Sequence, residues 1–161
     1  MNIGILDEVS AQSYSTSYRS GLLLITTVAK PKRILGSVTA SFHNPALVLD
    51  FDLNLVICSI ELVGLSSVAA VIAPRAFRKG NISLTDLSAF NMSPTVPRWG
   101  VWELSRDVRL LQSEDGSRYC IDIVDMEPEA WISPDEGLFF GCTGSVLSKI
   151  ITSDRLRTRS G

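Results

Sequence analysis

The chain of 161 residues contains one histidine, His43, and three cysteines, Cys58, Cys120 and Cys142. A hydrolase built on an imidazole base therefore has a single candidate. With one imidazole and no Cys-x-x-Cys pair, the ligand sets of structural and catalytic zinc are absent, and no metal or other cofactor is expected. Three thiols are an odd number in a chain long enough to bury a core without covalent staples. Cys58 and Cys120 fall in apolar stretches, so free buried thiols in a reducing compartment are expected. There is no glycine-rich phosphate loop. No apolar run approaches the ~20 residues that span a bilayer. The start, with Asp7 and Glu8 and no positive segment ahead of an apolar core, does not read as a signal peptide. A cytoplasmic or otherwise intracellular location is the expectation.

Charge is modest in amount and uneven in placement. Charged residues are 20% of the chain against 45% hydrophobic, a globular balance, and the net charge is −2. Residues 1–99 carry 8 Lys/Arg against 6 Asp/Glu, and residues 100–161 carry 7 against 11. That excludes a protein whose whole surface coats nucleic acid. It leaves three local basic clusters. The first is Lys30, Lys32 and Arg33, the second Arg75, Arg78 and Lys79, and the third Arg155, Arg157 and Arg159. The first two are the candidate loops for neutralising nucleic-acid phosphates. Trp99 and Trp102 stand near one another, placed either to stack single-stranded bases or to pack at an interface. Pro94 and Pro97 with Arg98 match a polyproline ligand at a single site.

What is present is period-two patterning. From Ala46, residues Leu47, Leu49, Phe51, Leu53 and Leu55 alternate with Val48, Asp50, Asp52 and Asn54, the mark of a strand with one buried and one wet face. The alternation slips near Leu55–Ile57, which predicts a bulge or a switch between two strands. Leu22–Val28 and Ile34–Phe42 read as strands, and His43-Asn44-Pro45 as a turn. Val108–Val124 reads as a hairpin turning at Asp115-Gly116. Ser83–Phe90, with Ser83 as cap, predicts a short helix. Glu127–Trp131 predicts a helical turn, and Leu138–Ile151 has near-helical spacing. The fold expected is a single, mainly β domain over residues 1–161, an antiparallel β-sandwich or jelly roll with one or two short helices. Residues 1–20 form a possible arm, with a loop over 8–20, and 153–161 a basic tail.

Several groups carry candidate chemistry. Asp50 and Asp52 sit two apart on the wet face of one strand, where a metal would need further oxygen ligands. Asp122, Asp125, Glu127 and Glu129 cluster in sequence and read as solvated loop acids. Gly141-Cys142-Thr143-Gly144-Ser145 looks superficially like the nucleophile loop of viral chymotrypsin-like proteases, with Thr143 in the slot where those enzymes place glycine. Ala73-Pro74-Arg75, Gly100-Val101-Trp102-Glu103 and Phe140-Gly141-Cys142-Thr143-Gly144 resemble, in order, three motifs of trimeric dUTPases. Ala76 stands in place of that family's serine, and Glu103 in place of its catalytic Asp.

The stretch from Ile34 to Ser88 resembles the core of plant-virus movement proteins of the 30-kilodalton type. Its Gly36-Ser37-Val38 strand, polar turn, further strands and apolar segment Val68–Pro74 carry the resemblance. The Asp that follows the strand in that family is replaced by His43-Asn44. The resemblance implies a jelly-roll-like fold, single-stranded nucleic-acid binding and self-association. Taken with the missing catalytic residues, the expected function is that of a non-enzymatic, self-associating structural or adaptor protein. A viral movement, matrix or capsid-associated role fits that expectation. The partner is the chain itself, another protein or single-stranded nucleic acid. A nucleic-acid-binding module using the basic loops, and a hydrolase, are the alternatives.

Overall fold

A computed structural model describes residues 3–6, 13–27, 38–44, 46–52, 54–95 and 99–153. Among the described residues there are strands and turns and no helix. In chain order the strands are β1 (Ile3–Leu6), β2 (Tyr14–Arg19), β3 (Leu22–Thr27), β4 (Val38–Asn44), β5 (Ala46–Phe51), β6 (Ile57–Val63), β7 (Ser67–Val68) and β8 (Arg78–Lys79). They continue with β9 (Asn81–Leu84), β10 (Asn91–Met92), β11 (Gly100–Asp107), β12 (Arg109–Gln112), β13 (Arg118–Asp122), β14 (Ala130–Asp135), β15 (Leu138–Thr143) and β16 (Val146–Ser153).

The first sheet runs β10-β11-β4-β5-β6-β3-β2. Its inner face follows from the alternation seen in the sequence. Leu47 and Leu49 of β5 lie opposite Leu62 and Ile60 of β6, which lie opposite Leu23 and Ile25 of β3. All six are fully buried. The second sheet runs β7-β12-β13-β16-β15-β14-β8. One row of side chains crosses five of its strands: Leu110, Ile121, Ile150, Phe140 and Ile132. This row and the inner face of the first sheet form one apolar core, which makes the molecule a β-sandwich. Thr16 and Thr152 join the sheets by a 2.8 Å hydroxyl–hydroxyl bond, and the rings of Tyr18 and Tyr119 meet at 5.0 Å.

Where the alternation slips, the chain reverses. Leu55 takes a φ of 63°, and Asp52 Oδ1 accepts the N–H groups of Asn54 and Val56, an Asx-type turn that separates β5 from β6. The β12–β13 hairpin turns where expected, with Gly116 at φ 71° and Asp115 Oδ1 accepting from the Ser113 and Ser117 hydroxyls. β4 and β5 form a hairpin with His43 opposite Ala46, as the turn reading requires. β11 and β12 belong to different sheets although only Val108 separates them. The chain crosses the sandwich there on one buried residue.

Four expectations are corrected. Ser83–Phe90 is not a helix. Ser83 and Leu84 end β9, whose four residues are all buried, and Asp86 Oδ1 instead caps a turn by accepting the N–H of Ser88. Asn81–Leu84 pairs with β1 and is pinned between the sheets by the Val56–Ser83 bridge, so no face is left for helical packing. Glu127–Trp131 is not a helical turn: Glu127–Glu129 are loop and Ala130 and Trp131 open β14. Leu138–Ile151 is the β15–β16 hairpin. β16 is buried on both faces, with Ile150 in the main core and Ile151 in a second cluster outside it, and a strand buried on both sides loses its alternation. The loop expected over 8–20 contains β2, since Tyr14, Thr16 and Tyr18 inward alternating with Ser15 and Ser17 outward suit an edge strand.

Candidate functional site

The outer face of the second sheet holds a charged cluster. Arg109, Asp122 and Lys149 are directly opposite one another on β12, β13 and β16. The Asp122 side chain is 3% exposed, yet it receives both Arg109 Nη2 and, at 3.2 Å, Lys149 Nζ. The expectation of a solvated loop acid is therefore corrected for Asp122. Two cations on neighbouring strands make a carboxylate tolerable at a buried position. Beside this row, a Cβ on Gly141 would approach Pro128 Cγ to 2.6 Å and Trp131 Cζ3 to 2.9 Å, so glycine is what lets the 124–129 loop lie on the sheet.

The other candidate acids are structural or separated. Asp52 is engaged in the turn described above, and Asp50 is half-buried on β5. Among the described residues, no group of three or more His, Cys, Asp or Glu is arranged to hold a metal.

The hydrolytic candidates do not converge. Cys142 lies on β15, 1% exposed and packed into the main core. Burial pushes its thiol up to about 11, which suppresses the thiolate a nucleophile needs. His43 is on β4, and its side chain lies outside the described residues. Trp102 and Leu104 pack toward the core, so Glu103 between them faces outward from the first sheet. Arg75 is exposed on the segment that lies over the outer face of the second sheet. The residues that resemble dUTPase motifs thus sit on opposite faces of the sandwich.

Cys120 is buried and Cys58 half-buried, and all three thiols are free. Burial pushes Cys120 to about 11 and, together with Asp50 and Asp52, Cys58 to about 12. In the folded protein Cys120 and Cys142 are expected to resist iodoacetamide at about pH 8 and to react fully in urea, read by intact mass. The unfolded thiols ionise near 9.0 and the folded ones near 11, so folded protein holds more protons between these values. Their contribution to stability is complete below pH 9 and is lost as pH rises toward 11. A Tm that stays level across that range would contradict the buried placement.

The three basic clusters fare differently. Lys30, Lys32 and Arg33, expected as a phosphate-binding loop, lie outside the described residues, and so do Arg155, Arg157 and Arg159. Arg75, Arg78 and Lys79 are all exposed, the last two forming β8 at one edge of the second sheet. The two tryptophans part company. Trp102 is half-buried and meets Phe90 edge-on at 5.5 Å, whereas Trp99 is 46% exposed.

Reading the sequence alone marks Val68–Pro74 as an apolar segment but does not show that alternate residues of it are exposed. Leu65 is 89% exposed, Val68 70% and Ile72 74%, while Val71 between them is buried. A further signal is the absence of any acid from residue 62 to residue 85. No helix among the described residues is long and apolar enough to cross a membrane. Compared with protein-family models and with curated protein sequences, the chain matches none.

Proposed function

We propose that this β-sandwich is a non-enzymatic, self-associating structural or adaptor protein that acts through its surfaces. The observation that carries this reading is the apolar content of the first sheet's outer face and edge. Leu22 and Val63 are directly opposite on β3 and β6 and both point outward, and Val101 points outward on β11 two residues after the exposed Trp99. The same outward face carries Leu24 and Val48, the small polar Ser15, Ser17, Thr26 and Ser59, and the acids Asp50, Glu61 and Glu103. The aliphatic and aromatic positions of this face gain on burial. A second copy of the chain, meeting it through a two-fold axis, covers the same patch on both subunits. The resemblance of residues 34–88 to movement proteins implies self-association as well.

The test is absolute mass by light scattering on a sizing column at low and high salt. A dimer or larger assembly that persists in high salt is expected, because its contacts are apolar. Val63→Glu with Val101→Glu is expected to shift the protein to monomer while leaving thermal unfolding of the fold intact. A wild-type chain that is monomeric at every concentration and salt tested removes this reading.

A further inference from the structure

β7 lies at one edge of the second sheet, beside β12, and β8 at the opposite edge, beside β14. The chain between them, residues 69–77, crosses the outer face. Val71 and Ala73 pack on Cys120, Phe139 and Ile151, and the ring of Phe77 meets Phe139 edge-on at 5.2 Å. Arg118 Nη1 reaches the carbonyl of Val71 at 3.5 Å. Six inter-strand steps of about 4.8 Å make a crossing of roughly 29 Å. Ten residue steps from Val68 to Arg78 reach at most roughly 33–36 Å. The segment is therefore a strap drawn close to full extension.

An extended strap must turn alternate side chains away from the sheet, and it has no slack to tuck them in. In water those positions favour polar residues. Here Val68, Ala70 and Ile72 occupy them, following the almost wholly exposed Leu65. The cations Arg75, Arg78 and Lys79 are exposed at the far end, and no acid interrupts residues 62–85 in a chain that is acidic overall. Exposed aliphatic side chains beside clustered cations complement one kind of surface, a hydrocarbon boundary under anionic headgroups. A nucleic-acid backbone would use the cations and leave the aliphatic residues without a role.

We infer that this strap docks the protein on the surface of an anionic phospholipid bilayer, Leu65, Val68 and Ile72 entering the headgroup boundary and Arg75, Arg78 and Lys79 meeting lipid phosphates and carboxylates. The acidic 124–129 loop lies on the same sheet face, along the row of Asp122, Lys149 and Gly141, whereas the strap follows the row of Cys120, Ile151 and Phe139. The molecule would accordingly tilt, with the strap toward the lipid and the acidic loop away from it. This surface is opposite the face assigned to self-association, so the two readings stand or fall separately.

The experiment is co-sedimentation of the full chain with phosphatidylcholine vesicles, with and without phosphatidylserine. Binding to the anionic vesicles alone is expected, weakened by salt and not abolished by it, because part of the contact is apolar. Val68→Asp with Ile72→Asp should lower partitioning about tenfold or more, as should Arg75→Glu with Lys79→Glu. Both pairs are exposed, and unchanged thermal unfolding and oligomer mass would show that fold and self-association are intact. Three results would overturn the inference: wild-type protein that stays in the supernatant, binding that ignores the aliphatic substitutions, and salt-sensitive binding to single-stranded DNA with none to vesicles.

Discussion

Asp122→Ala is expected to destabilise the protein by roughly 3 kcal/mol, at the lower end of the range for breaking a buried ion pair. The carboxylate neutralises Lys149, whose side chain is 16% exposed on the neighbouring strand, and Arg109 on the other side. Without it, a largely buried ammonium is left with no carboxylate from β13 and with a second cation nearby. Against a typical domain stability of about 5–15 kcal/mol, such a loss is visible in urea unfolding as a lower midpoint with an unchanged slope. Arg109→Gln should have a much smaller effect, because the guanidinium is largely in water and its pairing is screened. Asp122→Leu combined with Lys149→Met should recover most of the loss, since apolar residues of similar size carry no desolvation penalty. An Asp122→Ala midpoint equal to wild type would mean that the cluster is solvated.

Tyr14→Phe removes one oxygen atom and is expected to destabilise by roughly 2–4 kcal/mol. Tyr14 is 1% exposed, and burial holds its hydroxyl protonated far above the usual phenol range. That hydroxyl donates to the carbonyl of Ile57 at 2.8 Å and accepts from Asn81 Nδ2 at 2.9 Å. The backbone N–H of the same residue donates to Asp135 Oδ2 at 2.9 Å. One residue therefore ties β2 to β6, β9 and β14. Phenylalanine fills the same space, so the loss reports on two buried polar groups deprived of a partner and not on a cavity. Asn81→Leu should be less than additive with it, and a double-mutant cycle measures the shared bond. Full additivity would show that the two side chains act independently.

Both effects rest on residues whose roles are invisible in the sequence. Tyr14 lies in a Ser/Thr/Tyr-rich stretch that reads as loop, and its partners are 43 and 67 residues away. Asp122 sits in a run of acids that looks solvated. Its two cations come from strands whose pairing with β13 the sequence does not announce, although the Asp115-Gly116 turn does foretell one of them. The near-helical spacing of Leu147, Ile150 and Ile151 misleads for a related reason. Ile151 is buried by Val71 and Phe139, and neither can be assigned to it from local pattern.

Local geometry is written in the order of the amino acids. Period-two alternation sets which side chains of β3, β5 and β6 face inward, and turn chemistry at Asp52 and Asp115 sets where the chain reverses. The single imidazole and the missing phosphate loop narrow the chemistry in the same direct way. Long-range packing decides the rest. It makes 69–77 cross a sheet instead of forming one of its inner strands, leaves the outer face of the second sheet partly dry, and chooses which carboxylate meets which cation. The physical reason is range. Alternation and turns depend on neighbouring residues, whereas burial on a second face depends on which distant segment lies over it.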